Sequence, residues 1–108
     1  MSDTLHKLYQ VVTDRKTNPQ EGSYTCYLFD QGLDKICKKV GEESAETIIA
    51  AKNGVQSDTV GEICDLIYHL MVLMAQQEIP LDAILAELDR RSEKIGNLKK
   101  MKQTDRET

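Results

Sequence analysis

The sequence has no tryptophan, one phenylalanine and only two prolines. Large aromatic residues therefore cannot dominate its core, and aliphatic side chains must supply it. Its three cysteines, Cys26, Cys37 and Cys64, are odd in number and lack CxxC spacing. That argues against a disulfide framework and against a zinc site. There is no basic excess either: 14 Lys and Arg against 18 Asp and Glu leave a net charge of −4. General nucleic-acid binders leave the opposite footprint. The longest apolar run, around residues 66–75, is interrupted by His69 and is too short to span a bilayer. With no secretory leader in view, these features lead to the expectation of a soluble, cytoplasmic protein.

What remains is ordinary globular composition, 40% hydrophobic and 30% charged over 108 residues, which fits one domain. Leu5, Leu8 and Val12 predict a first helix over residues 4–12. The polar stretch TDRKTNPQEGS then reads as a loop carrying Arg15 and Lys16, with Asn18-Pro19 and Glu21-Gly22 as turn signals. YTCYLFDQG, 24–32, has strand-like residue types but no partner strand, so a short helix or an extended arm is expected. A second long helix is predicted from Leu33 to Asn53, stopped by Gly54. A third is expected from about Ser57–Thr59 to Glu78, and a fourth opens after Pro80. The third is apolar nearly all round, which implies that it meets a second copy of the chain. The predicted fold is all-α, a small bundle of four to five helices completed by homodimerisation. Residues 1–93 form the domain, and 94–108 are a charged tail expected to be flexible.

The chemistry concentrates in two short patterns, Glu43-Ser-Ala-Glu46 and Glu62-Ile-Cys-Asp65. Each sets two carboxylates three residues apart on one helical face. A short connection makes the two helices antiparallel neighbours, so the four carboxylates can converge. Convergent carboxylates repel one another and require a cation or raised pKa values. An all-oxygen set suits Mg²⁺ or Mn²⁺. An ExxE pair alone is commonly a solvated face, and Thr59-Val-Gly-Glu62 also matches a capping box. Two such pairs flanking apolar stripes favour the metal reading. Lys39 stands i+4 and i+7 from Glu43 and Glu46, where its ammonium can reach phosphate oxygens or simply bridge to the same glutamates. His69 reads either as a satisfied core residue or as a partner to the site, and Tyr68 reads as packing. His6 carries no signal.

The run RKTNPQEGSYTCYLFDQGLDKICKKVGEESAETIIAAKN, with VGEICDLIYHLMVLMAQQEIPLDAILAELDRR after it, resembles the phosphoribosyl-ATP pyrophosphohydrolase family. That family serves the second step of histidine biosynthesis and belongs to the all-α, MazG-like nucleoside triphosphate pyrophosphohydrolases. The resemblance covers about residues 4–93. It implies hydrolysis of phosphoribosyl-ATP to phosphoribosyl-AMP and pyrophosphate, with Mg²⁺, by a helical homodimer of the stand-alone form. It also implies Glu43, Glu46, Glu62 and Asp65 as metal ligands, with Glu42 either supporting those ligands from behind or orienting the attacking water. Arg15, Lys16, Tyr24, Lys35 and Lys39 are its implied phosphate and ribose contacts. Glu42 or Glu46 is the expected proton acceptor, with Lys39 beside them. Two other readings compete. One is a pool-cleaning pyrophosphohydrolase acting on dUTP, dCTP or similar nucleotides. The other is a non-enzymatic dimerisation module with an acidic face.

Overall fold

The computed structural model describes residues 3–93 and 102–107. It contains helices α1 (Thr4–Thr17), α2 (Tyr24–Gln31), α3 (Leu33–Asn53), α4 (Gln56–Gln76), α5 (Leu81–Ser92) and a short α6 (Gln103–Glu107). No strand occurs among the described residues. The all-α expectation holds, with five helices in the bundle region and α6 beyond it. Most of the predicted tail, 94–101 and 108, lies outside the described residues. No helix of the described chain is long and apolar enough to cross a membrane.

α3 ends where the sequence predicted. Gly54 adopts φ 77°, a left-handed conformation, and its N–H closes on the Ala50 and Ala51 carbonyls; glycine meets no Cβ penalty there. Residue 24 opens a helix because the Ser23 side chain accepts from the Cys26 N–H at 3.2 Å, a standard N-cap. Two expectations are corrected. α1 continues through Thr17, so Arg15 and Lys16 occupy its last turn and not a loop; cations there favour the negative end of the helix dipole. α4 begins at Gln56, which puts Thr59 inside it with its hydroxyl on the Val55 carbonyl. Thr59 and Glu62 therefore form no capping box.

The core gathers Val12 of α1, Leu28 of α2, Ile36 of α3, Met71, Val72 and Ala75 of α4, and Leu81 of α5. Each large side chain so buried contributes about 1.5–3 kcal/mol. α3 and α4 make the most extensive pairing, and α1 and α2 cover one side of it. Two side chains of α1 tie down the end of α4 and the turn that follows it: Lys16 donates to the Ala75 carbonyl at 2.9 Å and Tyr9 to the Ile79 carbonyl at 2.5 Å. His6 links α1 to α5 through Asp82 at 2.7 Å.

Candidate active site

The antiparallel α3–α4 pair brings the two acidic patterns face to face. One carboxylate oxygen from each of Glu43, Glu62 and Asp65 lies within 4.8 Å of the others. Glu43 belongs to α3 and the other two to α4, so the trio exists only because the helices are paired. Thr47 strengthens that pairing at the same level. Its hydroxyl is 2.7 Å from the Glu43 carbonyl and 3.3 Å from the Glu62 carbonyl across the helix interface. Glu46 is exposed and stands outside the trio, bordering both Glu43 and Glu62.

Glu43 is the unusual member. It is 7% exposed, and its Oε2 is buried without a hydrogen-bond partner. Such a group is costly when ionised unless something positive meets it. Lys39 Nζ is 3.7 Å from the other oxygen, Oε1, and 3.3 Å from Glu42. Burial pushes the Glu43 carboxyl above its ordinary range, and Glu46 pushes it further. Glu62 is raised by burial and then by Glu46, Asp65 and Glu43. Burial works against the Lys39 ammonium, yet Glu42, Tyr24 and Glu43 hold its pKa above the usual lysine value. Three carboxylates from a rigid helix pair form a donor set suited to a hard divalent cation. The orphaned oxygen of Glu43 fits that occupant, because a cation would satisfy what no protein donor does.

The other predicted residues surround two depressions. Arg15, Lys16 and Tyr24 line a cleft of about 1020 Å³ together with Tyr27, Gln20 and Gln76. Glu46, Glu62 and Asp65 line a smaller one of about 480 Å³. Arg15 pairs with Asp14 at 3.3 Å. Lys16 spends one of its three donors on α4, as described above, and Lys35 sits over the Tyr27 ring at 6.0 Å. Tyr24 joins the two regions: it walls the larger cleft and its hydroxyl is 3.0 Å from His69 Nε2. Burial raises the Tyr24 phenol, and Lys39 opposes that shift.

His69 is buried and its Nδ1 is 2.7 Å from the Asp65 carbonyl. It is thus both a satisfied core residue and a neighbour of the site, through the backbone of Asp65 and not its carboxylate. Tyr68 packs, as expected, with its hydroxyl 2.5 Å from Thr25 Oγ1. Thr47 is not among the residues that the sequence patterns single out. A hydroxyl one turn beyond Glu43 was the available signal.

A family model described as phosphoribosyl-ATP pyrophosphohydrolase matches residues 5–92. The chain is 54% identical over 103 residues to a Clostridium botulinum (strain Kyoto / Type A2) protein named phosphoribosyl-ATP pyrophosphatase, covering 95% of this chain and 94% of that one. Proteins of the same name in Clostridium acetobutylicum and Listeria monocytogenes serotype 4b (strain CLIP80459) are 55% and 54% identical. Those matches cover 91% and 92% of this chain, and 89% and 95% of the two relatives.

Proposed function

This chain belongs to the phosphoribosyl-ATP pyrophosphohydrolase family and hydrolyses phosphoribosyl-ATP, and from that premise we propose that Glu43, Glu62 and Asp65, with Glu46 beside them, hold a divalent cation at which the triphosphate is cleaved. Mg²⁺ is the proposed ion and Mn²⁺ its substitute. The observation that carries this reading is the buried, unpartnered Oε2 of Glu43 set against two further carboxylates. When bound, the cation supplies charge neutralisation for the phosphate chain and favours ionisation of the attacking water.

The chain's own residues do the rest. Glu42 and Glu46 are the exposed carboxylates bordering the trio, placed to accept the proton of the attacking water. Lys39 keeps its positive charge between Glu42 and Glu43, where it offsets charge on the phosphates. Cleavage of this kind is mostly positioning and charge stabilisation. The larger cleft offers Arg15 and Lys16 to the remaining phosphate and tyrosine rings to the base and sugar, with Lys35 over the Tyr27 ring. The products are phosphoribosyl-AMP and pyrophosphate. The protein is proposed to act in the cytoplasm as a homodimer, with neither nucleic acid nor membrane as a partner.

Pyrophosphate release from phosphoribosyl-ATP, with and without Mg²⁺ and beside dUTP, dCTP and ATP, tests the reading. Turnover of phosphoribosyl-ATP that requires Mg²⁺ is expected. Asp65→Asn is expected to lower kcat at least about 100-fold, as loss of a metal-ligating or orienting group does, while the protein stays folded. Normal activity from Asp65→Asn refutes the assignment, and preference for a free nucleotide moves the same site to pool cleaning.

A further inference from the structure

His69 is 4% exposed, and the reaction outlined above gives it nothing to do. Both ring nitrogens are engaged. Nδ1 faces the Asp65 carbonyl at 2.7 Å. A carbonyl only accepts, so Nδ1 carries the hydrogen. In the neutral ring that leaves Nε2 as an acceptor. The group it faces, 3.0 Å away, is the Tyr24 hydroxyl. The phenol therefore donates to the imidazole and has no second hydrogen to give.

Neighbouring rings hold this arrangement in place. Tyr24 and Tyr68 both meet His69 edge-on, with centroids 5.7 and 4.9 Å from it. Tyr24 itself stacks on Tyr27 at 6.1 Å in the wall of the larger cleft. The Tyr24 oxygen consequently offers only lone pairs to whatever enters. A phosphate oxygen is also an acceptor and gains nothing there, whereas a sugar hydroxyl can donate.

We propose that His69 is a positioning residue that holds Tyr24 as a pure hydrogen-bond acceptor, so that Tyr24 meets the substrate at a ribose hydroxyl and not at a phosphate. This rests on the cleft receiving the substrate as proposed above. It narrows the resemblance-based expectation for Tyr24, which left phosphate and ribose both open.

Two buried polar replacements separate positioning from simple core filling. In His69→Gln the side-chain oxygen reaches the place of Nε2 and can still accept from Tyr24. In His69→Asn the shorter amide can bond the Asp65 carbonyl but stops short of Tyr24. Tyr24→Phe and His69→Asn are each expected to lower kcat/KM about ten-fold with the same division between kcat and KM, and the double variant to fall within about two-fold of either. His69→Gln is expected to stay within about three-fold of the wild type. The ¹⁵N spectrum of His69 near neutral pH should show a protonated Nδ1 and a bare Nε2. A hydrogen on Nε2, or losses from His69→Asn and Tyr24→Phe that multiply, overturns the proposal, as does a Gln variant as impaired as the Asn one. A wild type that does not cleave phosphoribosyl-ATP would instead sink the functional reading, and the ¹⁵N spectrum would still decide the Tyr24–His69 bond.

Discussion

Glu43 concentrates the energetics of the site in one side chain. Its raised carboxyl, like that of Glu62, means that the folded, metal-free protein holds protons which the unfolded chain releases near the usual value of 4.5. The folded state thus binds more protons in the window above that value, so stability without metal falls as pH rises through it. Below the ordinary carboxylate range the penalty is absent. A cation that binds the ionised carboxylates opposes the loss. Thermal melts of the wild type between pH 4.5 and 8 are expected to decline in EDTA and to recover in Mg²⁺. An ion concentration about 100 times its Kd is worth about 2.7 kcal/mol. Glu43→Gln, with no charge to bury, is expected to melt higher than the wild type in EDTA at pH 7 and to show little response to Mg²⁺. Identical wild-type melts with and without Mg²⁺ would remove the cation from Glu43. The spacing of the four acids was readable beforehand because i, i+3 periodicity names the residues that share a face. It could not say which of them the neighbouring helix buries. Glu43 is buried, while Glu46, three residues on, is exposed.

At the level of elements, boundaries were readable where a backbone signal marks them and obscure where none exists. Gly54 closes α3 at the expected residue because a left-handed conformation is needed there. α1 outran its prediction because Asp14, Arg15, Lys16 and Thr17 add no apolar residue to the periodicity, although nothing in them breaks a helix. The pairing of α3 with α4 was legible from their short connection. The cross-helix Thr47 bond was not, since a hydroxyl on an apolar stripe does not announce a partner on another helix. α5 carries its own electrostatic device. Glu87 pairs with Arg90 and Arg91, and their guanidinium groups hold its carboxyl down at about 2. A depressed carboxylate contributes stability above its unfolded value near 4.5 and loses it as pH falls toward about 2. The cluster is solvent-facing, so its effect is small. Glu87→Gln is expected to lower the melting temperature at pH 7 by no more than about 3 °C and to match the wild type near pH 2. A difference that persisted at pH 2 would assign the effect to packing and not to the ion pairs.

At the scale of the whole molecule, the described helices leave apolar surface that they do not themselves cover. On α4, Ile63, Ile67 and Leu70 recur at i, i+4 and i+7 and remain exposed, Leu70 at 38%. Ile48 of α3 is 64% exposed. The internal core is correspondingly thin: among the described residues, one cluster of seven buried apolar residues joins five helices. A face of this kind beside a small core is what an obligate dimer presents when one copy is viewed alone. Because α4 also bears Glu62, Asp65 and His69, a second copy against this stripe would stiffen the helix that carries half the site. Sedimentation of the wild type is expected to give twice the 12.2 kDa chain mass at micromolar concentration. Leu70→Asp would bury an unpaired carboxylate at the interface, which costs several kcal/mol and approaches the whole stability of about 5–15 kcal/mol for a domain. Dimer, helicity and activity are therefore expected to be lost together in that variant. A soluble, helical, monomeric Leu70→Asp protein would show that the thin core suffices alone. In that case the exposed stripe of α4 would need an occupant other than a second copy of the chain.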